Sequence, residues 1–220
     1  MNNSTNIYVT AGGTLVNDAF KYSMEYVPTG STQYQVLSED KNKFRGSPLL
    51  AVGYEYTDDM YIATELQYIF AGNTVESFHS QGAYHITQSL KHGDKISLLF
   101  KVGKPIDNFV PHIITGICTQ VITQKVVYAE AVASGYNQTF KKRTYGIVLG
   151  GGVQYNFNDN AGAYGFNVTW NLGNNNITNY SDPATTAGVA IDAAGYRRIY
   201  KAKCSRRPNL GFYVSIKLSQ

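Results

Sequence analysis

Histidine and serine are the side chains of this sequence best suited to catalysis or metal binding, and three of the four histidines lie close together. His79, His85 and His92 share residues 79–93, HSQGAYHITQSLKHG, with Ser80 and Ser89. A hydrolase needs serine, histidine and a carboxylate that converge in space, and a metal site needs ligands of suitable mutual geometry. The segment has neither spacing. We therefore expect these histidines to be exposed to solvent, and we expect no catalytic residue, metal or cofactor.

The other histidine and the two cysteines favour structural roles. We interpret His112 as a structural side chain that faces the interior or the rim of the fold. Cys118 and Cys204 are the only cysteines; they are too few for a disulfide scaffold and lack the paired spacing of a zinc site. One disulfide bond between them is the most that the sequence allows.

A basic segment near the C-terminus is the main candidate for binding. Residues 193–209, AAGYRRIYKAKCSRRPN, interleave Tyr196 and Tyr200 with Arg197, Arg198, Lys201, Lys203, Arg206 and Arg207. Basic clusters bind phosphates and sulfates, and arginine adds bidentate geometry. A solubilising surface segment is an equal alternative. Nucleic acid is the weaker candidate, and we do not expect it as a partner.

The composition favours one β-rich domain over residues 1–220. Charged residues make up 15% of the chain and the formal net charge is +4, against about 25% charged residues in soluble domains. No run of about 18 apolar residues exists, so the sequence contains no transmembrane helix. A membrane-spanning barrel remains compatible with this composition.

Alternating apolar and polar residues recur in runs of about ten residues, the pattern of half-buried strands. This pattern predicts eight strands near residues 6–15, 46–56, 60–70, 94–103, 108–119, 143–157, 161–173 and 210–218.

The connections between these runs are short and long in turn. TDD, KPID and NDN are short and rich in turn formers, whereas residues 16–45, 71–93, 120–142 and 174–209 form long polar connections. In an up-and-down meander, alternate connections lie on opposite rims. The rhythm therefore predicts an antiparallel eight-stranded barrel with short turns at one rim and long loops at the other.

The polar face of the predicted strands indicates what the apolar face touches. Residues 145–172, YGIVLGGGVQYNFNDNAGAYGFNVTWNL, alternate aromatic and aliphatic side chains with Gly, Asn, Thr and Gln. A face turned to water would normally carry Lys and Glu, whereas small residues and amides suit the narrow interior of an eight-stranded barrel. We therefore predict that the apolar face contacts lipid. A soluble lipocalin-like barrel, apolar inside, is the alternative.

The same alternation turns four charged side chains inward. It predicts a lumen charge network of Glu55, Glu65, Lys101 and Lys217, with the Glu65 and Lys101 pair as its main element because these residues lie on adjacent strands. Unpaired charges in a lumen are costly, and paired ones can form a network. The alternative is that these charges extend into interior water.

Aromatic residues fall into two predicted bands, as expected of a barrel in a bilayer. One band flanks the short turns, with Tyr54, Tyr56, Tyr61, Tyr155, Phe157, Tyr164 and Phe166, and the other lies toward the long loops, with Tyr68, Phe70, Tyr145, Trp170 and Phe212. Cys118 and Cys204 both fall at the long-loop rim. A disulfide across the barrel mouth is compatible with an oxidising compartment if their Cα atoms approach within about 7 Å.

This rhythm of strands and loops, with the runs FVPHIITGI and GIVLGGGVQYNF, resembles the OmpA and OmpX class of outer-membrane barrels of the opacity or surface-antigen type. The resemblance covers essentially the whole chain. One departure is the ending KLSQ, where such barrels often end in an aromatic residue. The resemblance implies a monomeric transmembrane barrel in the outer membrane of a Gram-negative cell, without an open pore because eight strands leave an interior that side chains fill.

The resemblance places function in the long loops, either for adhesion and surface interaction or in a structural membrane role. Lipopolysaccharide, a host surface glycan or a protein receptor are the partners it implies. A lipid-modifying outer-membrane enzyme is the alternative. The N-terminus MNNSTNIYV has no signal segment, and we interpret the chain as a mature form without its signal peptide rather than as a cytoplasmic protein.

Overall fold

Strands make up almost all of the described chain. The computed structural model describes residues 4–27, 35–70, 74–81, 84–129, 137–157, 161–173, 177–180, 190–191, 197–204 and 208–218. The strands are β1 (Ser4–Val27), β2 (Gln35–Thr57), β3 (Tyr61–Ile69), β4 (Thr74–Gln81), β5 (Tyr84–Gly103), β6 (Phe109–Tyr128), β7 (Gln138–Phe157), β8 (Gly162–Asn171), β9 (Ile177–Tyr180), β10 (Ala190–Ile191), β11 (Arg197–Cys204) and β12 (Pro208–Leu218). Within these residues no helix is long and apolar enough to cross a membrane.

Eight of these strands close into an antiparallel barrel. Hydrogen bonding runs in the order β1, β12, β8, β7, β6, β5, β3 and β2, and β2 pairs with β1 to complete the ring. The closing pair of first and last strands is in register from Ile7 opposite Leu218 to Val16 opposite Asn209. The predicted eight-stranded up-and-down barrel is confirmed.

Short turns join the strands at one rim, which we call the short-turn rim. Asp58–Met60 connect β2 and β3, with the Asp58 amide donating to the Met60 carbonyl at 3.1 Å. Ile106 and Phe109 exchange two backbone hydrogen bonds between β5 and β6, and Asp107 has a φ of 54°, a left-handed conformation that Asp tolerates better than most residues. The predicted NDN turn lies outside the described residues.

The long connections differ from the prediction, because much of their length is strand. β1 and β2 remain paired from Ser4 opposite Thr57 to Tyr26 opposite Gln35. β4 pairs with the outer half of β5, β6 and β7 continue to Val126 opposite Gln138, and β11 pairs with β1 beyond the point where β12 ends. The end of the barrel opposite the short-turn rim, which we call the extended rim, therefore carries β-hairpins in place of the predicted loops.

Alternation along each barrel strand separates an apolar exterior from a polar interior. The burial pattern of β3 alternates strictly, with Glu65 and Gln67 inside and Ile62 and Leu66 outside. Thr, Ser, Asn, Gln and charged side chains dominate the interior, together with small apolar clusters such as Leu99, Ile114, Cys118 and Val148. The interior is thus the reverse of a soluble ligand-binding barrel.

Candidate functional site

The predicted pair of Glu65 and Lys101 lies in the lumen near the short-turn rim. Lys101 Nζ lies 2.7 Å from Glu65 Oε2, and both side chains are at most 2% exposed. Tyr8 donates its hydroxyl to the same carboxylate at 3.1 Å, and Gln67 donates to the other oxygen at 3.4 Å. Lys101 also lies 5.1 Å from the centroid of the Tyr213 ring. The buried carboxylate is therefore neutralised and hydrogen-bonded, as a buried ion pair requires.

A second ion pair joins the remaining two residues of the predicted network. Lys217 Nζ of β12 lies 2.7 Å from Glu55 Oε1 of β2, and Asn6 of β1 donates to the same oxygen at 3.2 Å. β1 separates β2 from β12, so the pair reaches across the inside of β1. Together the two ion pairs bring two acids and two bases into one electrically neutral cluster. The sequence identified its members but not the pairing of Glu55 with Lys217.

Three lumen tyrosines were missed or misplaced by the sequence analysis. Tyr61 was predicted in an interfacial band, but it is 1% exposed and points inward, because it shares its parity with Glu65 on β3. Tyr8 and Tyr213 also point inward. The rings of Tyr8 and Tyr213 lie over Gly53 and Gly165 of neighbouring strands, where an added Cβ would come within 2.3 Å of each ring. Tyr8 alternates with the outward-facing Ile7 and Val9, and Tyr213 alternates with Phe212 and Val214. This alternation was the signal that could have found these two tyrosines.

The aromatic bands need one further correction. Phe166 and Phe212 were predicted in opposite bands, but they are register partners on β8 and β12. Their ring centroids lie 5.0 Å apart. Both lie at the midpoint of the nine register pairs between β8 and β12, so neither belongs to a band at one rim.

Both buried histidines described in the lumen bond to amides or carbonyls. His112 Nδ1 lies 2.9 Å from the Val110 carbonyl oxygen, which can only accept, so Nδ1 carries the proton; Nε2 lies 3.1 Å from the Asn167 side chain. His92 Nδ1 lies 3.2 Å from Gln120 Oε1. The prediction that the histidines of residues 79–93 are all exposed is therefore wrong for His92, which is buried next to Leu90 on the inward face of β5.

The other two histidines of that segment, His79 and His85, do not contradict the prediction of exposure. His85 is exposed, as predicted. The side chains of His79, Ser80 and the outer part of β4 lie outside the described residues, although their backbone pairs with β5. Among the described residues, no group of three or more His, Cys, Asp and Glu side chains is placed to hold a metal ion.

The predicted disulfide does not form. Cys118 is a free, buried thiol on the inward face of β6, between its register partners Ser97 and Gly146. The backbone of Cys204 lies in β11, opposite Phe20 of β1. β11 pairs with β1 on the same side as β12, so β8 and β7 lie between the position of β11 and β6, and the two cysteines are held apart.

The basic segment is partly strand rather than loop. Arg197, Arg198, Lys201 and Lys203 belong to β11, whose backbone pairs with β1 at the extended rim. Arg206 and Arg207 lie outside the described residues. The only alternation in β11 is short: Tyr200, Ala202 and Cys204 alternate with Lys201 and Lys203. The basic residues outweighed this signal, so the segment was predicted to be a loop.

Comparison with known proteins adds similar structures but no sequence relative. No family model and no curated protein matches the sequence. The fold is similar to Ail, the attachment invasion locus protein of Yersinia pestis, with 10% identity, a TM-score of 0.35 and coverage of 92% of this chain and 98% of that chain. It is similar to Neisserial surface protein A, with 11% identity, a TM-score of 0.36 and coverage of 99% and 100%. It is also similar to the Escherichia coli outer membrane protease OmpT, with 8% identity, a TM-score of 0.42 and coverage of 96% and 97%.

Proposed function

We propose that this chain is an integral outer-membrane β-barrel with a closed lumen, which holds extended hairpins at the cell surface for adhesion or other surface contacts. One observation carries the proposal: all eight barrel strands expose large apolar side chains on their outer face. Examples from successive strands are Val9, Val52, Leu66, Leu98, Ile113, Ile147, Tyr164 and Val214. In water such a belt would be an aggregation site, whereas lipid is its natural solvent.

The height of the belt fits a bilayer. On β7 the outward positions run from Tyr145 to Phe157, about 40 Å along the strand at 3.3 Å per residue. A strand tilt of roughly 40° reduces this to about 30 Å, the thickness of the hydrocarbon core. The polar hairpins of the extended rim would then stand outside the membrane, and the short turns would face the periplasm.

The closed lumen supports a display role rather than transport. Tyr8, Tyr61 and Tyr213 lie across the interior beside the two ion pairs, and each is buried. An eight-stranded barrel has room for little more than its own side chains. The proposal includes no catalytic activity, and hydrolysis of lipid A or phospholipid by the refolded protein would overturn that part.

Membrane insertion and orientation can be tested together. We expect the folded barrel to require detergent for extraction and to change its gel mobility on heating. An epitope inserted after Asn137, between β6 and β7, should bind antibody on intact cells, whereas the same epitope between Asp58 and Asp59 should bind only after permeabilisation. Extraction without detergent would contradict the membrane placement, and the reverse labelling would contradict the orientation.

The surface role needs its own test. Replacing Arg197, Arg198, Lys201, Lys203, Arg206 and Arg207 with Gln should reduce binding of cells to sulfated glycans or host surfaces if the basic segment is the contact. Unchanged binding, with normal surface display, would assign the segment a solubilising role.

A further inference from the structure

An apolar groove interrupts the outer wall where β8 ends. Its volume is about 620 Å³, and its aliphatic lining includes Leu66, Ile96, Leu98, Ile117, Ile147 and Leu172. Pairing between β7 and β8 stops at Val148 opposite Asn171, and Gly146 and Gly173 form part of the lining without contributing a side chain. The groove is therefore a recess in the surface that the proposed function places against lipid.

A row of cations lies directly beyond this groove toward the extended rim. Arg143 and Lys141 are exposed and share the outward parity of Tyr145 and Ile147 on β7, so Arg143 lies about 7 Å beyond Tyr145 along the strand. Lys91 of β5 and Lys141 of β7 are both register partners of Thr123 on β6. With strands about 4.8 Å apart, their Cα atoms are about 10 Å apart.

The cations on this face are not neutralised by nearby acids within the described chain. Lys91, Lys125, Lys141 and Arg143 are all exposed, and none forms an ion pair with a described carboxylate. Asp94 on the same face accepts a hydrogen bond from Tyr68. Glu76 of β4 lies opposite Ser89, level with Lys125 and farther out than Lys91, Lys141 and Arg143. The row therefore has a surplus of positive charge.

A hydroxyl group in the groove also lacks a partner. Thr119 Oγ1 is buried and has no hydrogen-bond partner among the described residues, and Thr119 lies between Ile96 and Tyr145 in the register of the wall. A buried hydroxyl without a partner is costly. A ligand that fills the groove and carries an ester carbonyl or a hydroxyl would relieve that cost.

We propose that the wall of β5, β6 and β7 binds a bis-phosphorylated glycolipid, lipid A of the outer leaflet. This site rests on the proposed membrane placement. Acyl chains occupy the groove, an ester or hydroxyl group meets Thr119, and the phosphates lie on the row of Lys91, Lys141 and Arg143. A headgroup with two phosphates matches three cations spread over β5 and β7, whereas a phospholipid with one phosphate meets only part of the row.

Titration of lipid A into the refolded barrel in neutral detergent tests the charged part of the site. The double variant Lys141→Gln/Arg143→Gln should raise the dissociation constant by about thirtyfold. The matched control Lys21→Gln/Lys104→Gln removes two exposed cations elsewhere and should leave it unchanged. Lipid A without its phosphates should bind the wild type weakly, with the same affinity that intact lipid A has for the Lys141→Gln/Arg143→Gln variant.

A second pair of variants tests the apolar part. Ile147→Trp fills the groove and should weaken binding, whereas Val214→Trp, on the outer face of β12, should not. Equal affinities in either pair of variants, or competition by phosphatidylglycerol as strong as that of lipid A, would overturn the glycolipid site. Heat-dependent gel mobility of every variant distinguishes failure of the two proposals. A barrel that inserts but does not discriminate among lipids would contradict only the glycolipid site. A barrel that does not insert would contradict the proposed function.

Discussion

Glu65 is the carboxylate on which the lumen side chains Lys101, Tyr8 and Gln67 converge. Lys101→Met leaves this carboxylate buried without its cation, and we expect the free energy of unfolding to fall by about 3–5 kcal/mol. Reversible denaturant unfolding in detergent measures the change. The double variant Lys101→Met/Glu65→Leu should recover most of the loss, and Lys104→Met at the exposed turn should change little. Unchanged stability of Lys101→Met would mean that interior water solvates both charges.

Gly53 shows how the lumen accommodates its aromatic rings. A Cβ at Gly53 would lie 2.3 Å from Tyr8 Cζ, so Gly53→Ala forces the ring from its place beside Glu65. We expect a loss of about 1–3 kcal/mol in unfolding free energy. Gly46→Ala is the matched control, since a Cβ there meets nothing within 4 Å. Equal stability of the two variants would contradict close packing of Tyr8.

Strand parity predicted much of this site at the residue scale. It placed Glu55, Glu65, Lys101 and Lys217 in the lumen, because one buried face fixes the direction of every second side chain. It could not pair Glu55 with Lys217, because that contact passes over β1 and depends on the closure of the ring. His92 was predicted to be exposed for a different reason: the polar sequence around it did not reveal the outer half of strand β5.

At the scale of elements, the turn between β5 and β6 carries local strain that a substitution can release. Asp107 has a φ of 54°, a region where a side chain other than Gly costs about 1–3 kcal/mol, with Asp at the low end. Asp107→Gly should raise the unfolding free energy by roughly 1 kcal/mol, and Asp107→Val should lower it. Thermal unfolding of both variants in the same detergent provides the measurement. A Gly variant no more stable than the wild type would show that the Asp side chain compensates the strain.

The strand ends were the least predictable elements. Apolar alternation marks a strand only where one face is apolar and the other polar, and it stops at the edge of the apolar belt. Backbone ladders continue beyond that edge, as in residues 38–44 of β2, SEDKNKF, which stay paired with β1. The eight barrel strands were therefore found, while β4, β9, β10, β11 and the outer halves of β1, β2, β5 and β6 were taken for loops.

For the whole molecule, position along the barrel axis should determine the cost of a surface charge. Ile113 is 72% exposed near the middle of the belt, and Ile106 is 59% exposed in a short turn. In liposomes Ile113→Arg should lower the unfolding free energy by about 2–4 kcal/mol, and Ile106→Arg by about 0–1 kcal/mol. Equal costs at the two sites would contradict the membrane placement of the belt.

The groove and its cationic row were beyond the reach of the sequence. Lys91, Lys141 and Arg143 come from two strands, and only the register of β5, β6 and β7 brings them close together. The groove exists because β8 stops pairing with β7 partway along the wall, and the sequence does not reveal where that pairing ends. For these reasons the sequence predicts a basic partner site in residues 197–207 alone.

The pairing of β1 with β12 has a consequence for how the protein is made. The first strand of the barrel is bonded to β12, so the ring cannot close until Pro208–Leu218 have been delivered. Until then both β1 and β8 present unpaired backbone groups to whatever surrounds them, and open edges recruit foreign strands. Assembly of the barrel therefore requires that both strand edges are shielded at the same time. A chain truncated before Pro208 lacks β12, so its β1 and β8 edges would stay open.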